Sequence, residues 1–190
     1  MNPDAQVHVL WTGTWYSPGI ERQTADRLLD EGADVLTMHQ DSPAVVQAAE
    51  QRGRYALGYH SDMSSFAPHA TLASVAWNWA PLYRKIATDV HEGNWEAYKL
   101  WWGLDQGAVE LAGLNASLPP ALRSQVLAAE QAIKDGIKRI FEGTISDSDG
   151  VVRVPSGKVL TDAELLTIDY FVIGVKGDLP KPHISVNPSN

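Results

Sequence analysis

The feature that most constrains this chain is a rhythm repeated over residues 7–59. A β-rich run, Val7-His8-Val9-Leu10-Trp11, ends near Gly13. Ser17-Pro18 then supplies a helix cap and a first-turn proline, and Ile20, Ala25, Leu28 and Leu29 recur at near-helical spacing before Gly32 stops the run. The pattern repeats at once. Ala33-Asp34-Val35-Leu36-Thr37-Met38 reads as a second strand, and Ser42-Pro43 as a second cap. Ala44, Val45, Ala48 and Ala49 form the next apolar stripe, and Gly53 precedes a third strand, Tyr55-Ala56-Leu57-Gly58-Tyr59. Strands alternating with helices of this length imply right-handed crossovers and a parallel sheet. The fold class expected is therefore α/β, a parallel sheet with helices on both faces.

Beyond residue 60 the signals are sparser. Leu72-Ala73-Ser74-Val75-Ala76 reads as a fourth strand, and Trp79, Leu82, Tyr83, Ile86 and Val90 mark one face of a helix ending at Gly93. Residues 107–112 suggest another strand. Pro119-Pro120 open a long helix carrying Leu122, Val126, Ala129, Ile133, Ile137 and Ile140 along one side. Residues 144–155, with Asp149-Gly150 at their centre, read as a hairpin. Thr161-Asp162-Ala163-Glu164 is a capping box for a short helix. From Gly177 on, Pro180, Pro182 and Pro188 predict an irregular tail.

Composition removes several function classes. The 190 residues carry 15 Lys and Arg against 23 Asp and Glu, a formal charge of -8, with no basic cluster to track a phosphate backbone, so no nucleic-acid partner is expected. Without cysteine there can be no disulfide, thiolate metal site or cysteine nucleophile. No apolar run is long enough for a membrane span, and the polar start is not a signal peptide.

In an open α/β sheet, ligands bind outside the carboxyl ends of the strands. That rule selects three segments expected to share one rim: Gly13-Thr14-Trp15-Tyr16, His39-Gln40-Asp41-Ser42 and His60-Ser61-Asp62-Met63. Together they offer an indole for stacking, carboxylates that accept hydrogen bonds, imidazoles and hydroxyls. Such a mixture suits a small, flat, polar ligand. Each residue also has a plainer reading. Trp15 could be a core or interface residue, Asp62 a cap, Asp41 part of a turn, and His39 and His60 structural histidines. A metal-dependent hydrolase built on His39, Asp41, His60 and Asp62 is a second reading, since imidazole and carboxylate are suitable ligand types. No His-Glu-x-x-His, Walker loop, Gly-x-Ser-x-Gly or Gly-x-Gly-x-x-Gly supports an enzyme, and no cofactor is expected.

An ordered series of motifs points further. Thr14-Trp15-Tyr16-Ser17-Pro18, Gly32-Ala33-Asp34-Val35, Asp41-Ser42-Pro43 and Ala48-Ala49-Glu50 are followed by Gly58-Tyr59-His60-Ser61-Asp62-Met63, Phe66-Ala67-Pro68 and Trp77-Asn78-Trp79. Val154-Pro155-Ser156-Gly157-Lys158-Val159-Leu160-Thr161 and Tyr170-Phe171-Val172-Ile173-Gly174-Val175 extend it. From residue 7 to about 177 the chain resembles the second part of the basic membrane protein family of ABC-transporter substrate-binding proteins, whose characterised members bind purine bases or nucleosides. The resemblance implies a type I periplasmic-binding-protein fold, a ligand cleft between two lobes, no catalysis, a permease partner, and a periplasmic or membrane-anchored full-length protein.

Position by position, the resemblance places Trp15 where an aromatic stacks on the purine and Asp62 where an aspartate accepts ribose hydroxyls. Asp41 and Ser42 fall in the loop lining the cleft, and His39, from the same strand end, is a further ligand-binding candidate. Trp77 stands near a position where nucleoside-binding members carry a lysine, a departure that favours a bare base such as adenine. The expected organisation is a ligand-binding lobe over 1–76, then a crossover segment over 77–106 that normally packs on the first lobe. A strand, long helix, hairpin and short helix over 107–176 complete the lobes, and 177–190 form the tail. The crossover's apolar face predicts self-association of this chain. A regulatory or interaction module on the same scaffold is the third reading.

Overall fold

Proline at position 18 has no amide hydrogen to lose and a φ already suited to a helix, so the first helix starts there. In the computed structural model, which describes residue 2 and residues 4–180, the chain-order elements are β1 (Val7–His8), α1 (Pro18–Asp30), β2 (Val35–Thr37), α2 (Ala44–Gln51), β3 (Tyr55–His60) and β4 (Thr71–Trp77). They continue with α3 (Ala80–Glu92), β5 (Val109–Ala112), α4 (Pro120–Lys134), β6 (Ile145–Ser146), β7 (Val152–Val154), α5 (Asp162–Leu165) and β8 (Val175–Lys176). Two compact units result. Residues Thr12–Lys138 form one, and the segments up to Trp11 and from Arg139 form the other. Of the irregular tail expected over 177–190, residues 181–190 lie outside the described residues.

The unit Thr12–Lys138 is built on a sheet of order β2-β3-β4-β5, parallel through β4 and closed by antiparallel β5. Side chains alternate between its faces. Leu36, Ala56, Ser74 and Ala76 are buried on one face, while Val35, Tyr55, Val75 and Trp77 remain exposed on the other. The buried face meets α1 and α2 through Ala25, Leu29, Val45, Val46, Ala48 and Ala49, joined by Met63, Ala67 and Ala70. Alanines dominate, so the backbones come close. Fully buried Val46 and nearly buried Met63 are each worth about 1.5–3 kcal/mol of burial. The β3–β4 connection carries no helix. Residues 61–70 fold back over the sheet instead, held where Glu50 Oε2 accepts the His69 and Ala70 amides at 3.0 and 2.6 Å.

Three expectations need correction. The run at residues 7–11 is not a sheet neighbour of the second strand. Only Val7–His8 is a strand, and it pairs in parallel with Val175–Lys176. The competing partner is held by Trp11 Nε1 donating to the Asp178 carbonyl at 2.8 Å. Gly177 completes it, since its backbone (φ 140°) approaches Val9 so closely that a Cβ would lie 2.5 Å from the Val9 carbonyl oxygen. The long helix stops at Lys134 and does not reach Ile140, because Gly136 takes the left-handed conformation (φ 68°) and its amide closes on the Ile133 carbonyl. Finally, Ser17 stands at the N-cap of α1 as expected, but Ser42 does not cap α2. The Ser17 hydroxyl makes no cap bond, and Pro43 takes the N-cap position of α2.

In the other unit, β6 and β7 form an antiparallel hairpin around Asp149-Gly150. Buried Asp147 staples it by accepting the Asp149 and Val151 amides and Arg153 Nε. The capping box at Thr161 and Glu164 is present in full. The Lys158 ammonium, and then Thr161, hold the Glu164 carboxyl down at about 2.

Candidate functional site

The carboxyl edge of the parallel strands carries four rings in a row. Alternation sends Gly58, Ser74 and Ala76 to the covered face, so Tyr59 and Trp77 project from the other. His39, just beyond β2, lies 4.3 Å from the Tyr59 ring centroid, and Trp77 lies 5.8 Å from Tyr59 on its other side at 81°. Trp15 adds the fourth ring, edge-on to His39 at 5.6 Å and 62°. These separations and tilts are those in which aromatic pairs attract. Trp15 is 65% exposed and Trp77 38%, so both indoles keep faces open to a flat guest. Burial, and then the charge of Asp41, push the Tyr59 phenol up, against an opposing pull from the Trp77 side chain. The phenol therefore stays neutral and able to donate.

Although β1 is paired elsewhere, the loop carrying Trp15 still reaches this edge. The Asp41 amide donates to the Trp15 carbonyl at 3.0 Å, and Gln40 Nε2 donates to Thr12 Oγ1 and to the Thr14 carbonyl at 2.6 and 3.1 Å. On the other side, His60 Nε2 donates to the Asp41 carbonyl at 3.1 Å. His60 ends β3 in the left-handed region, at φ 55°, which is uncommon for a residue with a side chain and turns the chain back over the sheet. The Asp41 backbone thus links all three loops.

The six sequence candidates fall in different settings. Trp15, His39 and Trp77 join the ring row. Asp41 is exposed, and its carboxylate stands beside that row, close enough to act on Tyr59. Ser42 is fully buried, and its hydroxyl donates to Glu21 Oε2 at 2.5 Å. It faces inward and offers no free hydroxyl. Asp62 is exposed. Its Oδ1 accepts the Ser64 amide at 2.9 Å, and its carboxylate lies against the backbone of Gly113. Tyr59, the ring that joins the row together, was not among the candidates. Its signal was the alternation of β3, in which small Ala56 and Gly58 face inward and Tyr59 therefore faces out at the last turn before the rim.

The metal reading loses its geometry here. Among the described residues no three or more His, Asp or Glu side chains gather so as to hold a metal ion. His39 packs between rings, His60 is turned to the Asp41 carbonyl, and Asp62 sits on Gly113.

Comparison with known proteins supplies the family. The family described as ABC transporter substrate-binding protein PnrA-like (Bmp) matches residues 1–149. The chain belongs to this family. The motifs quoted above point to the same one. A purine-binding protein of Brucella abortus (strain 2308) is 36% identical to this PnrA-like chain over 181 residues, which cover 95% of the chain and 51% of that protein. A Haloferax volcanii protein, named as a putative glucose-binding protein of an ABC transporter, is 32% identical over 180 residues, covering 95% and 44%. The chain spans about half the length of the curated relatives it matches. Among solved structures, a transcriptional activator of the comK gene from Bacillus halodurans superposes with a TM-score of 0.60 at 24% identity, covering 66% of this chain and 45% of that one. That likeness shows the shared α/β fold.

Proposed function

We propose that this PnrA-like chain supplies one wall of a purine site in the solute-binding component of an ABC importer, and that it binds without chemistry. The observation that carries this is the row Trp15–His39–Tyr59–Trp77, with two indoles open to solvent at the carboxyl edge. Rings arranged this way offer flat, apolar surface, and the Asp41 carboxylate and Tyr59 hydroxyl beside them offer an acceptor and a donor. A purine base has just those needs: a face to stack, amino groups to donate and ring nitrogens to accept. The name of the Brucella relative supports the same class. An adenine-like base is favoured over a nucleoside because Trp77 stands where nucleoside binders of the family carry a lysine. In the importer, the protein works outside the cytoplasmic membrane, held near it, and delivers its ligand to a permease.

Isothermal calorimetry with adenine and adenosine tests this. In a protein that joins this chain to the family's other lobe, binding is expected, and Trp15→Ala should weaken it by about ten- to hundredfold, the combined loss of stacking and buried area. The chain by itself, with one wall of the cleft, should bind weakly or not at all. Equal affinity in the variant would refute the site. The Haloferax relative favours a second reading, a sugar stacked on the same rings. Glucose binding without adenine binding would establish it.

The segment 77–106 is proposed to pack on the family's other lobe. Helix α3 has no buried side chain, and Trp79, Tyr83, Val90, Trp95 and Trp101 are all more than half exposed. Expressed by itself, the chain should therefore pair with a second copy through this surface. Light scattering at micromolar concentration checks it, and a clean monomer would refute it.

A further inference from the structure

Asp62 rests on a place where the chain has left out a side chain. A Cβ built on Gly113 would lie 2.3 Å from Asp62 Oδ1, 2.7 Å from Cγ and 2.8 Å from Oδ2. All three carboxyl atoms therefore fall within the volume that any other residue at 113 would occupy. Gly113 also stands at φ 61°, where a side chain is strained in its own right.

The backbone at 113 is not free to retreat. The Asn115 amide donates to the Leu72 carbonyl at 2.8 Å, and Asn115 Nδ2 donates to the carbonyls of Thr71 and Pro68 at 2.8 and 3.3 Å. These bonds pin the loop after β5 to the start of β4 and to the 61–70 segment. The backbone beneath Asp62 is held as well, because the Met63 amide donates to buried Ser74 Oγ at 3.1 Å. With both chains fixed, a methyl group at 113 can be relieved only by turning the Asp62 carboxylate away. Turning it breaks the bond from the Ser64 amide to Oδ1, the one side-chain hydrogen bond Asp62 makes among the described residues.

We propose that Gly113 is a positioning residue for Asp62. The bare backbone at 113 admits the carboxylate to its seat, the Ser64 amide holds Oδ1, and Oδ2 is left as the acceptor for a hydroxyl or amino group of the ligand. The exit of β5, far downstream of the three loops of the rim, is then part of the binding apparatus. The ligand-facing role rests on the purine reading above. The seating of the carboxylate does not, and the two are tested separately.

The experiment compares Gly113→Ala, Asp62→Gly and the double variant of the full chain. In the seating arm, Gly113→Ala should lower Tm by about 4–8 °C with Asp62 present but only about 2–4 °C in the Asp62→Gly background, where the clash is gone and backbone strain alone remains. The Ser64 amide resonance in Gly113→Ala should move to its position in Asp62→Ala. Additive Tm losses with an unmoved Ser64 resonance would overturn the proposal, as a structural role for Gly113 unrelated to Asp62 would produce them. In the binding arm, calorimetry with adenosine and adenine on the chain joined to the family's other lobe should show Gly113→Ala and Asp62→Ala weakening the bound probe alike, by about ten- to hundredfold, and Gly113→Ala adding nothing in an Asp62→Ala background. A loss in Asp62→Ala but not in Gly113→Ala overturns the positioning role. If Asp62→Ala binds both probes normally, the ligand role of Asp62 fails, and the seating arm alone decides what Gly113 does.

Discussion

Replacing Glu21 with alanine is expected to lower the stability of the Thr12–Lys138 unit by about 2–4 kcal/mol, measured by urea denaturation. Glu21 is fully buried in α1 although its side chain ends in a carboxyl group, and its two oxygens are spent on two loops. Oε1 accepts the Ser17 amide at 2.8 Å, and Oε2 accepts the Ser42 hydroxyl at 2.5 Å. Alanine would leave the buried Ser42 hydroxyl without this acceptor, costing about 1–3 kcal/mol, and the half-buried Ser17 amide without its own at a smaller cost, and would open a void beside the α2 start. The loss should reach the rim as well. Ser17 follows the loop of Trp15 and Ser42 follows Asp41, so the two loops would separate and the environment of the Trp15 indole, read by fluorescence, would change. Glu21→Gln keeps the volume and one acceptor, and should lose less. An alanine variant as stable as the parent would show that the pairing carries no stability.

The same residue shows where sequence reading stopped. Ser17-Pro18 and Ser42-Pro43 correctly announced two helix starts, because proline's fixed φ and missing amide act locally. Ser17 stands at the N-cap of α1 as read, though its hydroxyl makes no cap bond. Ser42 was misread, because Pro43 takes the cap of α2 and the Ser42 hydroxyl donates to Glu21, a contact made only after α1 and α2 pack. The strands and their order β2-β3-β4 follow from the alternating apolar runs, which any crossover must bring together. The partner of residues 7–8 did not, because a two-residue strand has no periodicity to read and its partner lies at the far end of the chain. The end of α4 was overrun for a different reason. Ile137 and Ile140 continue the apolar spacing, but Gly136 ends the helix through its backbone, and both isoleucines stand exposed.

For the rim, the rule that ligands collect at strand carboxyl ends pointed to Trp15, His39 and Asp41, which do lie at one edge of the sheet. It could not tell which way a residue faces once the chain leaves the strand. His60 reverses the chain at φ 55°, and the Asp62 carboxylate beyond it takes the Ser64 amide and rests against the Gly113 backbone. The family resemblance supplied roles for Trp15 and Asp62 but was silent on Tyr59, which the pleat of β3 places between His39 and Trp77.

Gly58→Ala should be the most damaging single methyl group in the sheet, costing about 2–4 kcal/mol in the same denaturation assay. Gly58 pairs in register with Ser74, and a Cβ on it would lie 2.3 Å from Ser74 Oγ and 3.0 Å from Met63 Cβ. The hydroxyl cannot move without cost, because it is the acceptor of the Met63 amide in a buried place. Driving it out leaves that amide unsatisfied and lifts Met63 from a core in which it is 1% exposed. Removing the Ser74 side chain in the Gly58→Ala variant tests the cause. Ser74→Gly clears the space but cannot restore the acceptor, so the double variant should recover only the steric part. It should still show faster hydrogen exchange at the Met63 amide than the parent. If Gly58→Ala is neutral, or if Ser74→Gly recovers nothing, the clash is not what the glycine avoids, and the anchoring of the Asp62 loop through Ser74 falls with it.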